Sequence, residues 1–172
     1  MSHRDRHAYD AVDALGPGSF DFVYTGVGAL CWLPEVARWA RVVADLLRPG
    51  GRLFIREGHP MLWSLDDKSE ALTLRYPYFE HVEPLVLNEV GTYVQTEVVF
   101  TQGLSHSWNY GLGEIITALL DAGMRLTALV EHDSVPWEAL PGHMVVDDEG
   151  EWRLSTEPER LAASYTMQAI KA

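Results

Sequence analysis

Three short stretches carry the side chains and backbone able to do chemistry. The stretch G-V-G-A-L at 26–30 puts Gly26 and Gly28 directly after the apolar run F-D-F-V-Y-T at 20–25. Glycines there let backbone come close to a bound molecule, because no Cβ stands in the way. They equally suit a tight strand-to-helix loop with no ligand. The stretch E-G-H-P at 57–60 places His59 just past a second apolar run, R-L-F-I-R at 52–56. An imidazole at that height can act as a catalytic base or substrate contact, or be an ordinary hydrogen-bonded loop histidine. The stretch H-S-W-N-Y-G at 106–111 sets His106 and Trp108 just before a helical pattern. His106 is the second catalytic candidate, with local packing or capping as its plainer role. Trp63, Tyr76, Tyr78, Phe79 and Tyr93 concentrate rings between positions 60 and 104. Such rings either cover a pocket for a small apolar or aromatic substrate or bury a core of their own. Trp63, Tyr93 and Trp108 are the candidate substrate contacts. Glu57 and His59 can meet His81 or His132 in space, but no spacing follows a known metal motif, so no metal is expected.

The elements that position these residues follow from pattern. The run at 20–25 comes after the turn composition G-P-G-S at 16–19 and reads as a buried strand. Pro34 suits a first helical turn, and Val36, Trp39, Ala40, Val43, Leu46 and Leu47 recur at helical spacing. Arg48 is expected in the last turn of that helix, before Pro49, Gly50 and Gly51 reverse the chain. A strand at 52–56 then starts at once. Strand, helix, tight turn and strand make a βαβ unit, hence a parallel sheet with a right-handed crossover. The region 60–104 changes character: 73–79 and 91–100 alternate like antiparallel strands. Helical spacing returns at 112–122, followed by a strand at 125–132, a hairpin at 144–153 turning at D-D-E-G, and a last strand at 164–171.

Composition narrows the function class. The 172 residues suit one domain, with 60–104 as a β-rich insertion or lid within it. The formal net charge is -12, and Lys68 and Lys171 are the only lysines. Such a chain repels phosphate backbones and anionic surfaces, so neither nucleic acid nor membrane is an expected partner. Cys31 is the single cysteine, no apolar stretch reaches the length of a membrane span, and the first residues lack the apolar core of a signal peptide. A cytoplasmic location is the expectation.

The F-D-F-V strand with its glycine loop, one helix upstream of L-L-R-P-G-G-R-L-F-I at 46–55, resembles the second half of class I S-adenosylmethionine-dependent methyltransferases. The closing helix 112–122 and strands 125–132 and 164–171 match that family's antiparallel end. The resemblance implies a Rossmann-like α/β sheet, partial, with parallel strands, an antiparallel terminal strand and a β-rich insertion. It implies S-adenosylmethionine as cofactor of the complete enzyme and methyl transfer to a small-molecule acceptor. It places Gly26, Val27, Gly28, Ala29, Leu30 and Trp32 at the cofactor, with Trp32 able to face the sulfonium or else to pack in the core. Methyl transfer from a sulfonium is an in-line displacement, so positioning and water exclusion matter more than any fixed catalytic residue.

The family's glycine-rich first turn and ribose carboxylate have no counterpart here, since only 18 residues precede the strand at 19. The chain therefore reads as a C-terminal part: a truncated chain, a mis-started gene or a degenerate paralogue. Poor cofactor binding by the chain alone is expected, and self-association through the edge of strand 19–25, most simply as a homodimer. A short-chain reductase is set aside, because no tyrosine has a lysine four residues later. A non-catalytic binding or assembly module derived from a half-domain remains the alternative.

Overall fold

A computed structural model describes residues 8–88 and 103–172 of the 172-residue chain. A short helix, α1 (Ala11–Leu15), precedes strand β1 (Phe20–Thr25). Helix α2 (Val36–Leu46) then buries Val36, Trp39, Ala40, Val43, Ala44 and Leu46, the apolar stripe expected from their spacing. The helix stops at Leu46, two residues before the expected last turn. Leu47 is already extended (φ -77°, ψ 140°) and pairs with Phe20 of β1. Pro49 reinforces this, since a proline disfavours helical backbone in the residue before it. Arg48 therefore does not sit at a helix end; it forms an ion pair with Asp21 of β1. Strand β2 (Leu47–Gly58) absorbs the Pro-Gly-Gly stretch as an irregularity, and Gly50 takes φ 78° there, where a side chain would be strained.

After β2 come α3 (Pro60–Trp63) and two short antiparallel strands, β3 (Leu85–Asn88) and β4 (Leu104–Ser107). Segment 73–79 does not form the expected strand: within it only Leu74 bridges Leu65, and Pro77 supplies no N–H for a ladder. The strand expected at 91–100 lies outside the described residues. Helix α4 (Leu112–Asp121) leads into β5 (Met124–His132). A small antiparallel sheet follows from β6 (Ser134–Val135), β7 (Met144–Val146) and β8 (Trp152–Leu154), including the expected hairpin. Strand β9 (Ser164–Lys171) closes the chain.

The main sheet has the order β1-β2-β9-β5. β1 and β2 are parallel, while β9 runs antiparallel to both β2 and β5. Along β2 the period of two sends Leu53, Ile55 and Glu57 to one face. Leu53 and Ile55 meet α2 and α4 there, with Met167 and Ala169 of β9, in the principal core. A second apolar cluster joins Leu62 and Leu65 to Val135, Met144 and Leu154 of the small sheet and to Leu140 in the loop between β6 and β7. Between these two clusters, at the carboxyl ends of β1 and β2, the chain leaves a cavity. No helix among the described residues is long and apolar enough to cross a membrane.

Candidate functional site

Glu57 organises the floor of this edge. It is 3% exposed at the end of an otherwise apolar strand. Its Oε2 accepts a hydrogen bond from Gly28 N at 2.6 Å, and Oε1 accepts from Ala29 N at 2.8 Å and Leu30 N at 3.3 Å. The loop after β1 is thus tied to the end of β2 by three charge-assisted bonds. Burial pushes the Glu57 carboxyl up to about 7, against the pull of those N–H groups. Cys31 is pushed up to about 12, first by burial and then by Glu57. The alternation along β2 is the sequence signal that points Glu57 inward; its bonds to the loop lie 27 to 29 residues away and leave no local mark.

Gly58 comes next, and a Cβ there would lie 2.8 Å from the Trp63 indole. That close approach lets Trp63 turn its ring back across the strand end. His59 begins α3: its Nδ1 accepts from Met61 N at 3.0 Å, and its Nε2 lies 2.9 Å from Glu131 Oε1. A ring that accepts at Nδ1 carries its proton on Nε2, which lies within ion-pair distance of the carboxylate without meeting it in hydrogen-bond geometry. Burial pushes the His59 imidazole down despite Glu131. His59 is 5% exposed, with Nδ1 bonded to Met61 N and Nε2 close to Glu131, so the fold gives it the work of capping α3 beside β5.

Asn109 fastens the other wall. Its Nδ2 donates to Pro60 O at 2.9 Å and Pro77 O at 3.0 Å, and Trp108 N donates to Cys31 O at 2.9 Å. Tyr110 donates its hydroxyl to Leu33 O. Glu114 bonds Glu80 N and Gly111 N, joining the insertion to the start of α4. These bonds hold residues 60–80 against the sheet end around a cavity of about 260 Å³. Trp32, Trp63, Trp108 and Trp137 line it, with Cys31, His81, Asp67 and Glu138 among the polar contributors. The Trp63 and Trp137 rings stack, with centroids 5.7 Å apart and planes at 20°. Trp32 is 53% exposed at the mouth.

The structure thus brings Trp32, Trp63 and Trp108 together at one cavity and adds Trp137, which the sequence pattern had not singled out. His106 lies on β4 opposite Val86, exposed and not among the residues lining the cavity. Tyr93 lies outside the described residues. The loop Gly26, Val27, Gly28, Ala29 and Leu30 stands at the carboxyl end of β1, with the N–H groups of its last three residues turned toward Glu57. Among the described residues no group of three or more His, Cys, Asp or Glu is disposed to hold a metal.

No protein-family model and no curated protein matches the sequence. Solved structures do match. One from Listeria monocytogenes, ascribed to an S-adenosylmethionine-dependent methyltransferase, is 13% identical, with a TM-score of 0.57 over 100% of this chain and 71% of its own. A methyltransferase of the same description from Methanosarcina mazei is 16% identical, with a TM-score of 0.53 over 96% of this chain and 65% of its own. One from Mesorhizobium loti is 17% identical, with a TM-score of 0.50 over 91% and 64%. The fold is class I methyltransferase-like. Within that fold the described sheet is a partial Rossmann-like one, and the chain spans less than two thirds of the length of two of these three structures. In open α/β sheets ligands bind outside the carboxyl ends of the strands, and the cavity of this methyltransferase-like sheet lies at that edge.

Proposed function

We propose that this chain carries the acceptor-binding side of an S-adenosylmethionine-dependent methyl transfer to a small molecule. The observation that carries the reading is the open, indole-walled cavity of about 260 Å³ at the carboxyl edge of the parallel β1–β2 pair. Its size suits a small molecule, and the net charge of -12 argues against a nucleic acid. The chain's own residues bind and orient. Trp63 and Trp137 offer a stacked apolar wall, and Asn109 pins the insertion beside the site. His59 serves as a positioning residue, because it caps the helix that carries Trp63.

The donor site is a different matter. The N–H groups of Gly28, Ala29 and Leu30 are spent on Glu57 and offer nothing to an incoming cofactor. The described residues therefore do not fit a complete cradle for S-adenosylmethionine, and no step through it is assigned to them. Calorimetry with S-adenosylmethionine, paired with transfer of a labelled methyl group to a panel of small acceptors at high donor concentration, tests the reading. Weak donor binding with measurable transfer, lost in Trp63→Ala, is the expected result. Low-micromolar donor affinity from this chain alone overturns the assignment to the acceptor side, and no transfer at any donor concentration overturns the activity.

A further inference from the structure

The cavity's chemistry is more selective than its size. Four indoles face one space, and the described side chains that join them include two carboxylates, Asp67 and Glu138, but no lysine or arginine. Arg75, the one arginine of the insertion, is held 2.8 Å from Asp66, with its guanidinium over the Tyr76 ring. The sequence of 89–102 contains no lysine or arginine either. An anionic ligand would surrender water here and meet like charge, with no lysine or arginine among the described lining residues to answer it. A neutral ligand would gain the indoles but nothing from the carboxylates. An organic cation gains both, because the indole face carries negative potential and attracts a positive group lying over it.

We propose that the cavity binds an organic ammonium: an amine, in its protonated form, borne on a flat apolar body that enters between the Trp63–Trp137 stack and Trp108. This rests on the acceptor-site reading above and names the class of molecule held there, whose nitrogen can take a methyl group only once its proton has passed to Asp67, Glu138 or water. Trp63 and Trp137 supply the slot for the flat body. Asp67 and Glu138 line the same cavity, Glu138 at its exposed rim, where its carboxylate accepts a hydrogen bond from Gly142 N at 3.3 Å, and the charge is expected beside them.

The test uses the full chain and three probes on one scaffold: 2-phenylethylamine, 2-phenylethanol and phenylacetate, each titrated by calorimetry near neutral pH. The ammonium is expected to bind at least about tenfold more tightly than the alcohol, with the carboxylate weakest, in line with desolvated cation–π and ion-pair contributions. In the double variant Asp67→Asn, Glu138→Gln that preference should fall about tenfold while alcohol binding holds, since these two substitutions leave the apolar walls intact. Equal or tighter binding of the alcohol or the carboxylate overturns the proposal, as does an unchanged preference in the double variant. The proposal and the function fail separately. Ammonium preference without any methyl transfer sinks the transfer reading alone. Transfer confined to neutral or anionic acceptors sinks the ammonium alone.

Discussion

Replacing Glu57 with glutamine should flatten the dependence of stability on pH. Burial lifts the Glu57 carboxyl from its ordinary value of 4.5 to about 7 in the folded chain. Between those values the native state holds a proton that the unfolded state has lost. The unfolded state then binds fewer protons, so unfolding free energy falls as pH rises. The stabilisation is fully present below 4.5 and is lost as pH climbs through about 7. Each pKa unit is worth about 1.4 kcal/mol, so complete ionisation costs the fold about 3 kcal/mol. In Glu57→Gln the oxygen can keep both Ala29 N and Leu30 N, but the new amide faces Gly28 N as donor against donor. That mismatch costs about 1–3 kcal/mol and does not titrate. Urea unfolding followed by tryptophan fluorescence at pH 5, 6.5 and 8 measures the difference. The variant should gain about 2.5 kcal/mol on the wild type between the lowest and highest pH, since part of the penalty is already present at pH 5. His59 contributes with the opposite sign, because its lowered imidazole stabilises the fold above its ordinary 6.5 and ceases to as pH falls through its folded value. It is common to both proteins and cancels in the difference. Parallel curves for the two proteins would refute the account of Glu57.

His59→Ala should destabilise the fold by about 1–2 kcal/mol through loss of the α3 cap, and His59→Asn should restore most of it, since asparagine caps well; equal losses in thermal melts would show that capping is not its role. Tyr165→Phe should change stability by less than about 0.5 kcal/mol, because the buried Tyr165 hydroxyl has no hydrogen-bond partner among the described residues. A loss above about 1.5 kcal/mol in urea unfolding contradicts that. The edge strand β1 should pair two copies of the chain, because Phe22 and Tyr24 are 55% and 56% exposed on it. Light scattering should show dimers that Phe22→Lys reduces to monomers, whereas a wild-type monomer at high concentration ends the idea.

Much of the sheet was legible because its strands announce themselves by period. Val36, Trp39, Ala40 and Val43 form the buried stripe that their spacing promised, and 125–132 and 164–171 pair as neighbours. The end of α2 was not legible in the same way. Helical spacing continues through Leu47, and an arginine at a helix end is favourable, so local rules favoured a helix to Arg48. The ladder to Phe20 decided otherwise, and it is a contact between residues 27 positions apart that no local window contains. Segment 73–79 shows the converse. Its alternation of apolar residues mimics a strand, but Pro77 and the demands of Asn109, which takes the Pro77 carbonyl, hold it as a wall of the cavity.

The site divides along the same line between local and non-local information. The glycine loop and His59 were placed at the right edge because strand ends can be counted. What each does there depends on partners distant in sequence. The loop's donors meet Glu57, which lies 27 to 29 residues away. His59 meets Glu131, and Trp63 meets Trp137 across 74 positions. Trp137 lies in a loop with no period and no motif, so its part in the cavity appears only once β5 has delivered that loop beside α3. A sequence can therefore show where the chain opens to a ligand while leaving open which side chains turn toward it. For this cavity the undetermined part is also the chemically decisive one: the two carboxylates and the fourth indole that favour a cation all lie in segments where composition, rather than pattern, was the only guide.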